Sequence, residues 1–321
     1  MDTTRTIRIG ARTSPMSLAQ VALVTEDLRD RYPDAQVELV PFTAAGDLEP
    51  GRQAELHDKG AFTGEIEEAL LAGVCDMAVH CMKDVAGYPL NAPGTVFAAH
   101  PARADIRDAL IHPGGLTLDQ LPPGTRVGTS AVRRIAQLTA SHPHLELVPS
   151  RGTANLRLAA LKAGKVDALV LAASGLERIG EQHHISEVLS VEQMCPPLGA
   201  AVLGLQCRAD DPEMIALLAP LGDRLTTREI TAERTVLNLL RGHCNSPIAG
   251  HARAFEDGRL ALRAMVFTPD GARVLTASRT SDQLTPPRPS AKPSPKRWGT
   301  STPSCSRRPG PMSVASTTKH Q

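Results

Sequence analysis

The sequence predicts an α/β protein that ends in a small α+β unit, and three observations carry that prediction. Short apolar strands alternate with amphipathic stretches over the first two-thirds of the chain, the β-α-β-α-β order that puts helices on the faces of a parallel sheet. From residue 226 the pattern changes to one helix followed by three strands joined by tight turns, which reads as antiparallel. Length sets the scale: the chain has 321 residues, which suggests about two domains of roughly 150 residues, or three small ones.

Taken in order, residues 6–10 alternate as a strand. Ser14 then suits an N-cap and Pro15 a first helical turn, ahead of Leu18, Val21, Ala22 and Leu28 at near-helical spacing. Residues 37–42 form a second strand, and the polar, turn-rich stretch 46–60 reads as a long mobile loop. A helix over 65–72 aligns Ile66, Ala69 and Leu70. A buried strand over 75–80 follows, with Cys81-Met82-Lys83-Asp84 at its carboxyl end. The second unit begins near residue 104, with strands at 126–130, 145–148 and 166–171 and helices at 131–141 and 154–163. In the third unit a helix over 226–241 stops at Gly242, a plausible C′ glycine. Strands at 248–255, 259–268 and 273–280 follow, turning at Glu256-Asp257-Gly258 and Pro269-Asp270-Gly271. Residues 281–321 carry eight prolines and few large apolar side chains, so they cannot offset their ordering entropy and are expected to be disordered.

Composition narrows the function classes. The chain is 41% hydrophobic and 21% charged, ordinary for globular cores and unlike a collagen, a disulfide miniprotein or a disordered polymer. No run approaches the roughly 18 apolar residues of a membrane helix, and residues 1–7 lack the apolar core of a secretory signal. A soluble, cytoplasmic protein with no membrane partner is expected. Net charge is +1, yet residues 281–321 hold seven Lys or Arg against one acid. The remaining 280 residues are therefore acidic overall, and 24 of their 28 cations are arginine. Codon bias explains that preference as well as a need for planar, bidentate pairing with carboxylate or phosphate does. Near-neutral charge argues against nucleic acid as a partner, and 2% aromatic residues leave few stacking platforms. The six cysteines (75, 81, 195, 207, 244, 305) form no C-x-x-C pair, so free thiols and no zinc site are expected. His80-Cys81 and His183-His184 stand too isolated to make a metal site.

Ligands of open α/β sheets bind outside the carboxyl ends of the strands. Asp84, Thr129-Ser130, Ser150-Arg151 and Ala172-Ala173 all fall at such ends, so four loops converge on one rim. Arg133 and Arg134 follow at a helix N-terminus, where free N–H groups and the helix dipole favour anions. Arg151 comes directly after a strand, with Arg157 and Arg178 further along. These arginines are either solvated surface groups or the grip on a polyanionic ligand. Asp84 is either an ordinary loop aspartate or a general acid–base and electrostatic group. Cys244, on the helix-to-strand loop, is either an inert thiol or an accessible one, and His243 beside it does not by itself make a catalytic pair.

Together these stretches resemble the porphobilinogen deaminase (hydroxymethylbilane synthase) family from residue 6 to about residue 280. The matching segments are Arg8-Ile9-Gly10-Ala11-Arg12-Thr13-Ser14-Pro15, Lys59-Gly60-Ala61-Phe62 and Ala78-Val79-His80-Cys81-Met82-Lys83-Asp84. Val127-Gly128-Thr129-Ser130-Ala131-Val132-Arg133-Arg134, Arg151-Gly152, Ala173-Ser174-Gly175-Leu176-Glu177-Arg178 and Gly242-His243-Cys244-Asn245-Ser246-Pro247 complete the set in shared order. The resemblance implies two periplasmic-binding-protein-like α/β domains plus a small C-terminal α+β domain. Their boundaries are 1–100 with 202–219, then 104–196, then 223–280, ahead of the 281–321 tail. It implies a transferase that joins porphobilinogen molecules head to tail, with loss of ammonia, into the linear tetrapyrrole hydroxymethylbilane.

On this resemblance Cys244 holds a dipyrromethane cofactor through a thioether, and Asp84 is the catalytic residue. Arg12, Ser14, Lys83, Thr129, Ser130, Arg133, Arg134, Arg151, Arg157 and Arg178 bind the carboxylates of cofactor and substrate. Lys59 and Phe62 belong to an active-site loop, no metal takes part, and the enzyme is a monomer acting on a small molecule. Each pyrrole brings an acetate and a propionate, which arginine forks suit. Loss of the amine leaves a cationic azafulvene that a carboxylate stabilises. The rival reading is a two-lobed anion-binding module without turnover, against which the presence of both Asp84 and Cys244 speaks.

The chain also departs from the family pattern. Gly199-Ala200-Ala201 replaces Gly-Gln-Gly, His57-Asp58-Lys59-Gly60 replaces Gly-Gly-Lys-Gly, Arg151-Gly152-Thr153 replaces Arg-Gly-Asn, and Glu55 replaces a basic residue. Loss of the Gln removes a polar contact to the cofactor and Glu55 repels acidic substrate, so rate and substrate fit are expected to suffer before the fold does. The third domain lacks a closing amphipathic helix, which leaves one face of its sheet poorly covered.

Overall fold

In the computed structural model the described residues are 6–43, 63–268 and 271–281. The loop expected at 46–60, the residues Glu55, Lys59 and Phe62, and the tail after residue 281 lie outside them.

β1 (Thr6–Arg12) buries Ile7 and Ile9 on alternate positions, and α1 (Pro15–Arg31) begins where the sequence places it. The Ser14 hydroxyl accepts from the Ser17 backbone N–H at 3.3 Å, and Pro15 occupies the first turn. Its inward face is Ser17, Gln20, Val21, Val24 and Leu28, whereas Leu18 and Ala22, expected inward, are exposed. The helical repeat explains the correction. Leu28, Val24 and Val21 step back onto Ser17 rather than Leu18. β2 (Gln36–Phe42) runs parallel to β1, and α2 (Gly64–Leu71) buries the expected Ile66, Ala69 and Leu70. β3 (Met77–Cys81) lies parallel to β1 on its other side, followed by β4 (Thr95–Ala99).

The second sheet is built from β5 (Asp108–Ile111), β6 (Arg126–Gly128), α3 (Val132–Ser141), β7 (Glu146–Val148), α4 (Ala154–Lys162), β8 (Ala168–Ala172), α5 (Ala173–Arg178) and β9 (Glu187–Val188). The chain then returns to the first sheet with β10 (Leu203–Arg208) and α6 (Pro212–Leu218). The strand orders are β2-β1-β3-β10-β4 and β7-β6-β8-β5-β9. Neither sheet is wholly parallel, which corrects the expectation. β10 runs antiparallel to β3 and β4, and β5 runs antiparallel to β8 and β9. Both reversed strands are buried almost throughout, without alternation, and such runs carry no mark of strand direction.

α7 (Arg224–Leu239) packs on β11 (Ile248–Ala254) and β12 (Leu260–Phe267), which pair antiparallel with each other and with β13 (Val274–Ser281), as expected. All of β13 is exposed, and among the described residues nothing covers it. A buried carboxylate on α7 joins the three units. Glu233, 0% exposed, pairs with Arg103 at 2.7 Å and accepts from the backbone N–H groups of Gly199 and Ala252, both at 2.6 Å. Arg103 in turn donates to Ala200 O at 3.0 Å. One side chain thereby ties both segments that cross between the sheets to β11. No helix among the described residues is long and apolar enough to cross a membrane.

Candidate functional site

A cleft of about 490 Å³ opens where the strand ends of the two sheets face one another. On the first sheet's side, β3 runs into a single 3-10 turn, Met82–Asp84, that delivers Lys83 and Asp84 to the cleft. The turn is held from behind. Met82 N–H donates to Val202 O at 2.9 Å, and Gly199, at φ +80°, approaches so closely that a Cβ there would lie 2.7 Å from the Met82 carbonyl carbon. Only glycine meets both demands. α7 holds the segment after Asp84, since Arg234 donates to Ala86 O and Leu90 O, and Asn238 Nδ2 donates to Gly87 O at 2.9 Å.

The Cys244 loop docks on that same segment. Gly87 N–H donates to Gly242 O at 3.0 Å, beside the last turn of α7. The helix end itself differs from expectation. Arg241, not Gly242, takes the left-handed conformation at φ +50°. Its N–H bonds Asn238 O while Gly242 N–H bonds Leu237 O, a Schellman pair. Stacking of the Arg241 guanidinium 4.9 Å from the Tyr88 ring centroid accompanies this strained position. Gly242 is demanded by space instead, because a Cβ would fall 2.6 Å from Leu237 Cδ1. Beyond it, His243 N–H donates to Ser246 Oγ at 2.9 Å and closes the loop that presents Cys244.

Cys244 is exposed, unlike buried Cys75, Cys195 and Cys207, and it lines the cleft with Asp84 and Lys83. Its thiol is accessible yet walled in on most sides. That enclosure, with the Asp84 charge second, pushes its pKa up to about 11.

The second sheet's side is cationic. Arg133 and Arg134 open α3, and both are buried against Asp108. Arg134 grips it with two bonds of 3.0 and 2.7 Å, and Arg133 approaches at 2.8 Å. One carboxylate thus answers two guanidiniums. Arg157, on the first turns of α4, donates to Gly152 O at 2.9 Å. Burial and then repulsion from Arg134 and Arg151 lower its pKa to about 10. Arg178 donates to Ala201 O at 3.2 Å. With Arg12 and Lys83 opposite, seven cations among the described residues line the cleft, and Asp84 is the single lining carboxylate among them. The N-terminus of α4 adds free N–H groups on the same wall, through Thr153, Ala154 and Asn155.

Most sequence-predicted residues therefore meet at one place, with exceptions among the hydroxyls. Thr129 is 1% exposed and does not line the cleft. Its Oγ1 accepts from Ala131 N–H at 3.4 Å, so it shapes the turn into α3. Ser130 does line the cleft, but its hydroxyl already donates to Ser150 O and accepts from Ser150 N–H, each at 2.9 Å. Ser14 spends its acceptor on the α1 cap. Asp108 was missed in the sequence because no local spacing links it to Arg133. Gln20 and His80, both buried and both lining the cleft, read in sequence as ordinary helix and strand positions. Of the departures from the family pattern, Thr153 caps α4 through its own side chain, accepting from Leu156 N–H. Ala201 sits at φ +60°, a conformation that suits glycine.

Known proteins resemble this chain over most of its length. A family model described as "Porphobilinogen deaminase, dipyromethane cofactor binding domain" matches residues 7–216, and its C-terminal companion matches 227–290. A protein of Streptomyces coelicolor named porphobilinogen deaminase 2 is 58% identical, covering 87% of this chain and 90% of its own. Porphobilinogen deaminases of Roseiflexus sp. and Thiobacillus denitrificans are 42% and 40% identical, covering 86% and 88% of this chain and 91% of each relative.

Proposed function

The chain belongs to the porphobilinogen deaminase family, and on that footing we propose a division of labour within its cleft. The reaction joins four porphobilinogen molecules head to tail, each with loss of ammonia, and water then releases the chain as hydroxymethylbilane. The observation that carries the residue roles is the docking of the Asp84 segment on the Cys244 loop, in a cleft that the described residues line with many cations and one carboxylate.

The residues suit a carboxylate-bearing dipyrromethane. Cys244 offers an accessible thiol inside the cleft, and Arg151 and Arg157 have no carboxylate partner among the described residues to satisfy them first. Cys244 would hold the group through sulfur, with Arg133, Arg134, Arg151 and Arg157 on its carboxylates. When bound, dipyrromethane supplies the nucleophilic ring carbon from which the chain grows. Enclosure and the Asp84 charge disfavour a thiolate at Cys244, and a neutral thioether escapes both penalties.

Asp84 handles the charge that appears during reaction. As ammonia leaves porphobilinogen, the azafulvene is cationic, and a carboxylate in a walled cleft stabilises it more than water would. In its acid form the same side chain passes a proton to the departing amine, is thereby left as the carboxylate that faces the azafulvene, and recovers a proton from the ring carbon after coupling. The arginines hold acetate and propionate groups and thereby set the reacting carbon's distance. Thr129 has no part in this scheme. A monomeric, cytoplasmic enzyme with domains at 1–100 with 202–219, 104–196 and 223–280 belongs to the same proposal.

Asp84→Ala tests it. The rate of porphobilinogen consumption should fall by about 10²–10⁴-fold while the melting temperature stays near that of the parent. Turnover at the parent's rate would remove Asp84 from the chemistry.

A further inference from the structure

We propose that Glu181, His183 and His184 form a binding site for a borderline divalent transition-metal cation, Zn²⁺ or Ni²⁺, on the surface beyond α5. None of the three lines the cleft. Adjacent histidines alone make no site, and the fold supplies the third ligand. Gly180, at φ +73°, ends α5, with its N–H on Glu177 O and the Glu181 N–H on Leu176 O at 2.8 Å. The chain then makes one 3-10 turn, Gln182–His184, in which His184 N–H donates to Glu181 O at 3.2 Å. Side chains three apart eclipse in 3-10 geometry, so Glu181 and His184 project to the same side.

The ligand atoms converge. Glu181 Oε2 lies 3.2 Å from His184 Nε2 and 3.9 Å from His183 Nε2, and the three atoms fall within 4.8 Å of one another. Tetrahedral coordination at about 2.0–2.1 Å spaces ligands roughly 3.3 Å apart, so small side-chain rotations complete the set. The imidazole centroids are 4.1 Å apart and tilted by 40°, so the rings lie side by side beneath a common oxygen. Two imidazole nitrogens with one carboxylate oxygen suit Zn²⁺, Ni²⁺ or Cu²⁺, whereas Mg²⁺ and Ca²⁺ prefer oxygen alone. The side chains of His183 and His184 are 66% and 45% exposed, which leaves an entry path and room for water as a further ligand. The backbone is anchored on the far side too, where Ser186 N–H donates to Leu110 O at 2.9 Å and Ile185 packs on the core of the second sheet. Little ordering entropy therefore opposes binding.

The experiment is titration calorimetry of Zn²⁺ into the metal-stripped full chain, beside the H183A/H184A double variant and E181Q. One Zn²⁺ per chain should bind the parent, the double variant should lose that event, and E181Q should weaken it by about tenfold or more. Mg²⁺ should give no binding. Zn²⁺ should also raise the melting temperature of the parent but not of the double variant, and equal melting temperatures in chelator show that the double variant is folded. An identical Zn²⁺ isotherm in parent and double variant would overturn the proposal by placing the ion elsewhere, for instance on thiols. Absence of any Zn²⁺ binding to the parent would overturn it as well.

Discussion

The two sheets share one plan, three parallel strands and then one that runs back, yet one buried titratable group in each, His80 in the first and Asp108 in the second, is handled in opposite ways. In the first sheet, His80 on β3 is 5% exposed and its Nε2 has no partner among the described residues. Burial, against a weaker opposing influence of the nearby Gln206 side chain, holds its pKa down to about 4, so it stays neutral. In the second, Asp108 on β5 is 1% exposed and stays charged. Burial pushes its carboxyl up, but the Arg133 and Arg134 guanidiniums outweigh that and hold it well below the usual carboxylate range. Equal topology thus carries unequal electrostatics. The first sheet's side presents Asp84 to the cleft beside Arg12 and Lys83, and the second presents Arg133, Arg134, Arg151, Arg157 and Arg178.

Removing the anion from the second sheet should produce the largest effect on stability. Asp108→Asn leaves two buried guanidiniums without a counter-charge, a class of change that costs about 3–5 kcal/mol. Urea unfolding of parent and variant measures it, and a loss below about 1 kcal/mol would show that the arginines do not depend on Asp108.

The comparison also separates the two sheets by pH. His80 has a folded pKa below its unfolded value, so protonation favours the unfolded chain. Its share of stability is present above pH 6.5 and is lost as pH falls toward about 4, in total about 3 kcal/mol. Asp108 is likewise depressed, but its share is intact until pH falls below the ordinary aspartate value of about 3.9. Unfolding free energies of parent and His80→Gln between pH 7 and 4 should therefore diverge in slope. Parallel curves would rule out His80 as the first sheet's acid-sensitive group.

The smallest expected effect lies where the sheets join. Ala201 holds φ +60° in a segment where the related pattern has glycine, and a left-handed L-residue costs roughly 1–2 kcal/mol. Ala201→Gly should raise stability by about 1 kcal/mol after the added freedom of the unfolded chain is subtracted. A lower melting temperature for Ala201→Gly would contradict the strain.

Much of this arrangement was legible in residue order, and the parts that were not share a cause. Caps and periodic faces are local, so Ser14, α2 and the antiparallel third sheet came through at nearly their true boundaries. Strand direction is not local. β5 and β10 are short buried runs whose partners lie far along the chain, and nothing within Asp108–Ile111 or Leu203–Arg208 marks them as reversed. The site divides in the same way. Strand-end loops placed Asp84 and Arg151 on one rim, whereas the neutralising role of Asp108, the turn-shaping role of Thr129 and the left-handed Arg241 depend on neighbours that only folding supplies. Glu181 illustrates the point at short range, since the 3-10 turn alone brings it to the two histidines.

Intact-mass spectrometry of the purified chain and of Cys244→Ser tests the central claim most directly. The parent should carry one covalent adduct of dipyrromethane size that survives denaturation, and Cys244→Ser should run at its bare sequence mass. An unmodified parent, or an adduct that persists in Cys244→Ser, would contradict the account.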